Sequence, residues 1–258
     1  VYAKDTFYLT VKVSDALADV SAVTAESGSV STSLNQTADG TYTGTVTVSL
    51  QEGGTASIKI KATDSCGNTS EITVDDIMVD KTAPELLVTS EVPQNSNKSF
   101  TVSGTVTDEI GVAESPVSVK DSSNGKTYTV TVVEGSGENA GKKVWSFTVN
   151  PAADGNGDNE AADGSHTFVI EASDKAGNKF SKSVSVLTDV TAPEVNISKV
   201  PNTNDTEGKV YVFEGTSSDG NGSGVSEIKM KFGESGSEVS VPVSESWFKS
   251  ITFAEYEY

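Results

Sequence analysis

Apolar and polar residues alternate in short runs along most of the chain, which is the pattern of half-buried β-strands. One such run extends from Phe7 to Asp15. Similar runs extend from Phe100 to Asp108 and from Tyr211 to Asp219, and in all three an aromatic residue lies eight positions before an Asp. No stretch of ten residues shows a convincing helical period. The pattern predicts an all-β protein in which one strand arrangement occurs three times.

Two further motifs repeat at a domain-sized spacing. Asp-x-x-Gly-Asn occurs at Asp64–Asn68 and at Asp174–Asn178, 110 residues later. Asp-x-Thr-Ala-Pro occurs at Asp80–Pro84 and at Asp189–Pro193, 109 residues later. A repeat of this period indicates tandem domains. We predict a first unit that lacks its first strand, a complete second unit and a third unit that lacks its last strands, at residues 1–81, 82–190 and 191–258.

The complete unit shows the sandwich pattern most clearly. Its short strands are separated by Gly, Asn, Asp and Pro, which predicts a two-sheet antiparallel sandwich of the immunoglobulin kind. Trp145 has a counterpart in Trp247, and both are expected to fill the space between sheets. We therefore expect an elongated tandem array with truncated outer units. The seven predicted strands lie near residues 85–90, 99–107, 112–120, 127–133, 143–149, 166–173 and 179–186.

The motifs resemble the bacterial immunoglobulin-like repeats of large cell-surface adhesins. The resemblance implies a stalk role, a location on a bacterial surface or in a secreted protein, and often Ca²⁺ between domains. Similar repeats also serve as spacers in secreted polysaccharide-degrading enzymes, so the resemblance is more specific for fold than for function. The residues that carry it are Asp64, Gly67, Asn68, Asp80, Thr82, Ala83 and Pro84, with Asp174, Gly177, Asn178, Asp189, Thr191, Ala192 and Pro193 in the second copy.

The charge of the chain restricts its partners. The net charge is −19, and all 18 basic residues are Lys. A chain this acidic and without Arg repels nucleic acid and anionic membranes, so neither is an expected partner. The expected partners are neighbouring units of the same chain, together with a host or matrix ligand. The carboxylates also supply ligands for a hard cation such as Ca²⁺.

Three carboxylates from separate segments are expected to meet at the joint between units one and two. Asp80 lies in the linker, Asp108 follows the second strand of unit two, and Asp174 follows its sixth strand. In a seven-strand sandwich these segments share one pole. The flexible, oxygen-rich set suits Ca²⁺, with Glu109 or backbone carbonyls completing the ligands.

The other joints follow the same logic. The second joint would use Asp189 and Asp219, while Asp15 and Asp64 would be the same pair for a preceding linker. A structural explanation stays open beside the metal. Asp and Asn form turns by bonding local backbone, and the Gly of Asp-x-x-Gly-Asn would supply the positive φ of a hairpin turn. The Ala-Pro dipeptide would stiffen the linker without any ion.

A second acidic segment gives another candidate cation site. Oxygen-bearing side chains at Asp154, Asn156, Asp158 and Glu160 follow the spacing that begins an EF-hand-type loop. The loop lacks the Gly and the bidentate Glu of that motif. Two interpretations follow, a weak Ca²⁺ site formed by these four residues or a solvated polar loop.

Catalytic motifs are absent from the sequence, and we predict a protein that is not an enzyme. The single histidine, His166, is expected to be a surface or edge residue, and the single cysteine, Cys66, a small buried or turn residue that excludes an intrachain disulfide. Aromatic residues between Trp247 and Tyr258 admit two interpretations, a ligand-stacking platform or a core strand followed by a loop.

The sequence thus predicts a structural spacer of a bacterial surface or secreted protein, with joints rigidified by Ca²⁺. Two alternatives stay open. One is a glycan- or protein-binding adhesin module, and the other is an accessory immunoglobulin-like region of a secreted glycoside hydrolase.

Overall fold

The computed structural model describes residues 1–48, 50–200, 210–220, 222–231, 234 and 236–252. In these ranges the chain consists of short β-strands and one 3₁₀ turn at Gly137–Asn139. No helix in the described part of the chain is long and apolar enough to cross a membrane. The predicted all-β fold is confirmed, and the strands fall into three groups, named here unit one, unit two and unit three.

Unit one contains seven strands joined in the order β1-β7-β6-β3-β4-β5-β2. The strand β4 pairs with β3 on one side and with β5 on the other, so the sheet wraps around one core. Val46, Val48, Ile58 and Val79 are among the most deeply buried side chains there. The strands are β1 (Tyr2–Ala3), β2 (Thr6–Lys12), β3 (Val20–Ser27), β4 (Val30–Ala38), β5 (Thr41–Thr47), β6 (Thr55–Asp64) and β7 (Thr69–Val79).

Unit two is a sandwich of two sheets. One sheet has the order β13-β14-β10-β8 with β15 beside β14, and the other has the order β12-β11-β16-β17-β9. Trp145, Phe147 and Phe168 are at most 2% exposed and fill the space between them. The strands are β8 (Glu85–Val88), β9 (Asn95–Ser96), β10 (Phe100–Thr107), β11 (Val112–Asp121), β12 (Thr127–Tyr128), β13 (Thr131–Glu134), β14 (Lys143–Pro151), β15 (Glu160–Ala161), β16 (Gly164–Asp174) and β17 (Lys179–Thr188).

Unit three shows two smaller sheets, β18-β19-β22 and β20-β21, in the described residues. Ile228, Val241 and Trp247 form its buried cluster. The strands are β18 (Glu194–Lys199), β19 (Val210–Ser218), β20 (Ile228–Lys231), β21 (Glu238–Val241) and β22 (Ser246–Thr252). Unit one ends with β7 at Val79, and unit two ends with β17 at Thr188. The exact residue limits of the three domains stay a prediction.

Each buried tryptophan packs on a glycine of the neighbouring strand. Gly104 pairs with Trp145, and Gly215 pairs with Trp247. A Cβ on Gly104 would lie 2.6 Å from the Trp145 ring, and one on Gly215 would lie 2.2 Å from the Trp247 ring. Because real Cβ atoms never approach so closely, both positions require Gly. The recurring contact explains why units two and three both have a Gly four residues before the Asp that ends this strand pattern.

Two features of the strand order differ from the sequence prediction. The predicted strand at 127–133 is two strands, because β12 pairs with β11 in one sheet and β13 pairs with β14 in the other. The chain passes from one sheet to the other between β12 and β13. Apolar and polar residues keep alternating there, so the sequence pattern does not reveal this change of sheet. The short β9 was also not predicted, and it runs parallel to β17. In unit one, β1 holds the same place beside β7.

His166 is not the surface or edge residue that the sequence predicted. It is only 5% exposed, because it faces inward on the alternating strand β16. Its Nδ1 lies 2.5 Å from Oδ2 of the buried Asp121, and its Nε2 lies 2.8 Å from the carbonyl oxygen of Ala162. Burial raises the pKa of Asp121, but hydrogen bonds from Ser123 and His166 outweigh it and hold the pKa below its usual range. The pair is a structural element of unit two.

Candidate functional site: the joint between units one and two

The aspartates at the pole of unit two first form local turns. Oδ1 of Asp108 accepts hydrogen bonds from the backbone N–H groups of Ile110 at 2.9 Å and Gly111 at 2.8 Å. Oδ1 of Asp174 accepts one from the backbone N–H of Asn178 at 2.8 Å, and Oδ2 accepts one from its side-chain amide at 2.7 Å. Gly177 has a φ of 85°, the positive value that the hairpin turn requires. Asp108 and Asp174 thus both form turns by bonding nearby residues, as the turn explanation predicts.

Unit one repeats both turns with the same partners. Oδ1 of Asp15 accepts hydrogen bonds from the backbone N–H groups of Leu17 and Ala18, both at 2.8 Å. Asp64 binds the backbone and side chain of Asn68 at 2.8 and 2.7 Å. The side-chain bond from Asn68 is the main cause that lowers the pKa of Asp64. Cys66 lies exposed in this turn. The two turns can therefore be compared, because in the described residues only the Asp174 turn belongs to a group of three close carboxylates.

At the joint the two turn aspartates meet a third carboxylate from the linker. One ligand oxygen from each of Asp80, Asp108 and Asp174 lies within 4.8 Å of the others. No other group of three acidic, His or Cys side chains this close occurs in the described ranges. The arrangement follows from topology, because β10 and β16 both end at the pole where the linker enters.

Asp80 is the most unusual of the three. It is fully buried, and its backbone N–H donates to the carbonyl oxygen of Ala3 at 2.8 Å. Its Oδ2 is buried without a hydrogen-bond partner among the described residues. Burial raises the pKa of Asp80 to about 6, and the negative charges of Asp174, Asp108 and Glu52 add to the effect. A buried carboxylate oxygen without a donor is energetically costly unless a proton or a cation compensates it.

Asn178 also belongs to the joint, and sequence reasoning missed this role. Its side-chain Nδ2 donates to the backbone oxygen of Asp80 at 3.0 Å and to Oδ2 of Asp174 at 2.7 Å. The amide thus connects the linker to the last hairpin of unit two. Asn178 is the final residue of the Asp-x-x-Gly-Asn motif, and the sequence pattern indicates only a turn former at that position.

Direct contacts between the two units surround the aspartates. The ammonium of Lys4 in unit one donates to the carbonyl oxygen of Gly177 at 2.7 Å. The ammonium of Lys175 lies 5.1 Å from the centre of the Tyr2 ring, a cation–π distance. Beside these contacts is an open cleft of about 880 Å³ whose lining includes Tyr2, Asp108 and Asp174. The hairpin tip of unit two therefore contacts unit one at Tyr2 and Lys4.

The second joint brings together the two predicted aspartates, and the described residues add no third carboxylate to them. Asp189 Oδ2 accepts a hydrogen bond from the backbone N–H of Ser223 at 2.6 Å. Hydrogen bonding from the Ser223 side chain, and after it from this backbone N–H, lowers the pKa of Asp189. Asp219 Oδ2 accepts one from Gly224 at 2.7 Å, and Asp219 Oδ1 is buried without a partner among the described residues. A Cβ on Gly222 would lie 2.7 Å from Oδ2 of both aspartates. The carboxylates therefore flank this glycine closely.

The remaining predicted ligands are not gathered around a common centre. Glu109 is exposed and is not part of the aspartate group. In the acidic loop, Glu160 bonds the backbone N–H of Gly157 at 2.6 Å, and Asn156 donates to Asp154 at 3.1 Å. Asp158 forms no close acidic group with its neighbours in the described chain.

A lysine ammonium occupies the interior of that acidic loop. Nζ of Lys126 donates to the carbonyl oxygens of Gly155, Gly157 and Glu160 at 2.8, 2.6 and 2.7 Å. Three backbone carbonyl oxygens of the loop are therefore bound to a side-chain cation, whose positive charge opposes a metal ion at the same place. Sequence spacing could not reveal this, because Lys126 lies about thirty positions before the loop.

The aromatic segment near the end of the sequence is partly described. Trp247 is 4% exposed and lies in the core of unit three, whereas Phe248, on the other face of β22, is 65% exposed. Alternation along the strand explains the difference. Phe253, Tyr256 and Tyr258, the other members of the suggested stacking platform, lie outside the described residues.

Similar folds occur among solved structures, whereas no family model and no curated protein matches the chain. Fibronectin(III)-like modules of CbhA from Clostridium thermocellum align at 19% identity over 72% of this chain and 88% of that one, with a TM-score of 0.44. A 1.5-MDa bacterial ice-binding adhesin aligns at 21% identity over 97% and 82%, with a TM-score of 0.32. A tetra-tandem repeat from the extending region of a large adhesion protein aligns at 23% identity over 96% and 62%, with a TM-score of 0.33. Because these TM-scores are below 0.5, the fold assignment rests on the sheets themselves.

Proposed function

We propose that this chain is a spacer segment of an extracellular bacterial protein, built from immunoglobulin-like repeats of the surface-adhesin kind. Its role is mechanical, since each unit is a rigid body and each Asp-x-Thr-Ala-Pro linker is a short joint. Ca²⁺ at the first joint would hold the linker and two loops of unit two together. The partners of each unit are its neighbours in the chain, and no reaction is assigned to the protein.

One observation supports this proposal above the others, the convergence of Asp80, Asp108 and Asp174. Their ligand oxygens lie within 4.8 Å of one another, and Asp80 Oδ2 is buried without a donor. Hard cations such as Ca²⁺ bind carboxylate and carbonyl oxygens from separate segments. The donor set therefore fits Ca²⁺. Asp108 and Asp174 form their turns with the backbone of Ile110 and Asn178, and these bonds do not involve Asp80. Turn formation alone therefore does not explain why Asp80 is buried beside two like charges.

The test of the proposed function is thermal unfolding and small-angle scattering of the chain, first with Ca²⁺ and then with EDTA. We expect Ca²⁺ to raise the melting temperature by several degrees, since a ligand at a hundred times its Kd adds about 2.7 kcal/mol to the unfolding free energy. We also expect a longer and stiffer particle with Ca²⁺. Identical melting and scattering curves in the two conditions would contradict a cation-locked joint.

A variant of the acidic loop provides the control for this measurement. Asp158→Asn neutralises one of the predicted loop ligands without touching the joint. We expect the Ca²⁺ affinity measured by calorimetry to stay within about two-fold of the parent protein, because Lys126 already binds the loop oxygens. Loss of most of the calorimetric signal in Asp158→Asn would move the cation site from the joint to the loop.

A second candidate function is ligand binding at the cleft beside the joint. The cleft of about 880 Å³ is large enough for a small saccharide, and it combines the Tyr2 ring with charged side chains such as Lys142 and Glu114. A glycan array and a chemical-shift titration with the chain in Ca²⁺ would decide between the candidates. Shifts confined to the cleft residues would support a binding module, and a flat array beside a stiff particle would support the spacer.

A further inference from the structure

A carboxylate from unit one grips the first linker directly after Asp80. Oε2 of Glu52 accepts a hydrogen bond from the backbone N–H of Lys81 at 2.8 Å. Oε1 of the same side chain lies 3.5 Å from the hydroxyl of Thr82, which donates to it. The ammonium of Lys81 also pairs with Asp5 of unit one. All of these contacts connect the linker to the preceding unit, and the Glu52 carboxylate also lies close enough to Asp80 to raise its pKa.

The second linker is held by the same pair of bonds. Oδ1 of Asp163 accepts a hydrogen bond from the backbone N–H of Val190 at 2.8 Å. Oδ2 of Asp163 accepts one from the hydroxyl of Thr191. Val190 and Thr191 occupy the motif positions of Lys81 and Thr82. The contact is therefore repeated at both linkers, although its side chain is Glu at one and Asp at the other.

The exchange of Glu for Asp is accompanied by a shift of one position. Counted back from the Asp-x-x-Gly-Asn motif, Glu52 lies twelve residues before Asp64, whereas Asp163 lies eleven residues before Asp174. The longer Glu side chain starts one residue earlier and reaches the same two donors. Different residues with the same bonds indicate that the contact itself is the recurring feature, and it explains the Thr in Asp-x-Thr-Ala-Pro.

We propose that Glu52 and Asp163 are positioning residues that fix each linker to the unit before it, and so present Asp80 and Asp189 to the following unit. Their hydrogen bonds are to the two residues after the aspartate, while the Asp80 carboxylate lies beside Asp108 and Asp174 at the joint. The grip needs no cation. The first linker is thus a continuation of unit one, and bending in the absence of Ca²⁺ takes place after Thr82. The part of this proposal that concerns cation affinity rests on the proposed function.

The linker makes fewer described contacts to unit two than to unit one. In the described contacts, the linker aspartate is connected to unit two through Asn178, whose amide donates to the Asp80 backbone oxygen at 3.0 Å. The two carboxylate oxygens of Glu52 accept from donors on two consecutive residues, Lys81 and Thr82, and the Lys81–Asp5 pair adds to this contact. A cation bound by Asp80, Asp108 and Asp174 would strengthen the connection between the linker and unit two.

Amide hydrogen exchange of the full chain in EDTA tests the grip without any cation. We expect Glu52→Ala to accelerate exchange at Lys81 about ten-fold and to leave Val190 unchanged, because a lost acceptor exposes the N–H to water. Asp163→Ala should do the reverse. Glu52→Gln keeps an oxygen acceptor and should restore protection at Lys81. Asp39→Ala, which neutralises an exposed turn residue of unit one, should change neither amide.

Calcium titration of the same variants then tests the positioning role. We expect Glu52→Ala to raise the Kd for Ca²⁺ about ten-fold and Glu52→Gln to restore most of the affinity. Unchanged exchange at Lys81 in Glu52→Ala would overturn the grip itself. Faster exchange with an unchanged Kd would overturn the positioning role alone. A parent chain that binds no Ca²⁺ would refute the proposed cation joint, while the exchange data would still decide whether the linker is fixed to unit one.

Discussion

Asp174→Ala is expected to abolish Ca²⁺-dependent stabilisation, whereas Asp64→Ala is expected to preserve it. The two aspartates bind their Asn partners at the same distances, 2.8 Å to the backbone and 2.7 Å to the side chain. Each variant therefore loses both bonds to its Asn partner. Only Asp174 also lies within ligand distance of Asp80 and Asp108. Any difference between the variants reports on the joint and not on the turn.

The expected size of the effect follows from the ligand set. Removing one of three converging carboxylates from a site that needs six to eight oxygens should raise the Kd for Ca²⁺ at least about 100-fold, or ~2.7 kcal/mol. Isothermal calorimetry gives the Kd, and calorimetric melting with Ca²⁺ and with EDTA gives the stability. Equal loss of Ca²⁺ response in Asp174→Ala and Asp64→Ala would contradict the assignment of the site to the joint.

The fold and the joint were predictable to different degrees. Strand alternation identified the major strands of unit two to within a few residues, because each strand has one buried face and one wet face. The convergence of Asp80, Asp108 and Asp174 followed from topology, since strand ends at one pole of a sandwich are neighbours. The crossing between β12 and β13 was not predictable, because the alternation carries no mark of a change of sheet.

The parts of the site that sequence missed depend on long-range contacts. Glu52 acts on Lys81 from 29 positions away, and Lys126 fills an acidic loop that begins 28 positions later. Spacing rules compare residues within one motif, so they are silent about such pairs. The buried Asp121–His166 pair, 45 positions apart, was missed for the same reason. Local motifs therefore indicate which residues form turns, and the fold decides which of those turns meet.

The stability of the cation-free protein is expected to depend on pH through Asp80. Burial and the neighbouring carboxylates raise its folded-state pKa from 3.8 to about 6. Between these two values the folded chain binds more protons at this group than the unfolded chain. The contribution of Asp80 to the free energy of unfolding therefore falls as the pH rises from about 4 to about 6, and it stays low above that. Asp64, Asp121 and Asp189 have lowered pKa values, and their contributions have the opposite sign.

Asp80→Asn isolates this contribution, because it keeps the shape of the side chain and removes the ionisation. In EDTA at pH 7.5 we expect Asp80→Asn to be more stable than the parent protein by roughly 1–2 kcal/mol, less than the ~3 kcal/mol that the pKa change implies without solvent screening. At pH 4 the two proteins should melt within about 1 °C of each other, because Asp80 is then protonated in the folded state. With saturating Ca²⁺ at pH 7.5 the order should reverse, since the neutral amide is the poorer ligand. Equal stability differences at pH 4 and pH 7.5 would contradict a charged, buried Asp80, and the unpaired oxygen would then need another compensating group.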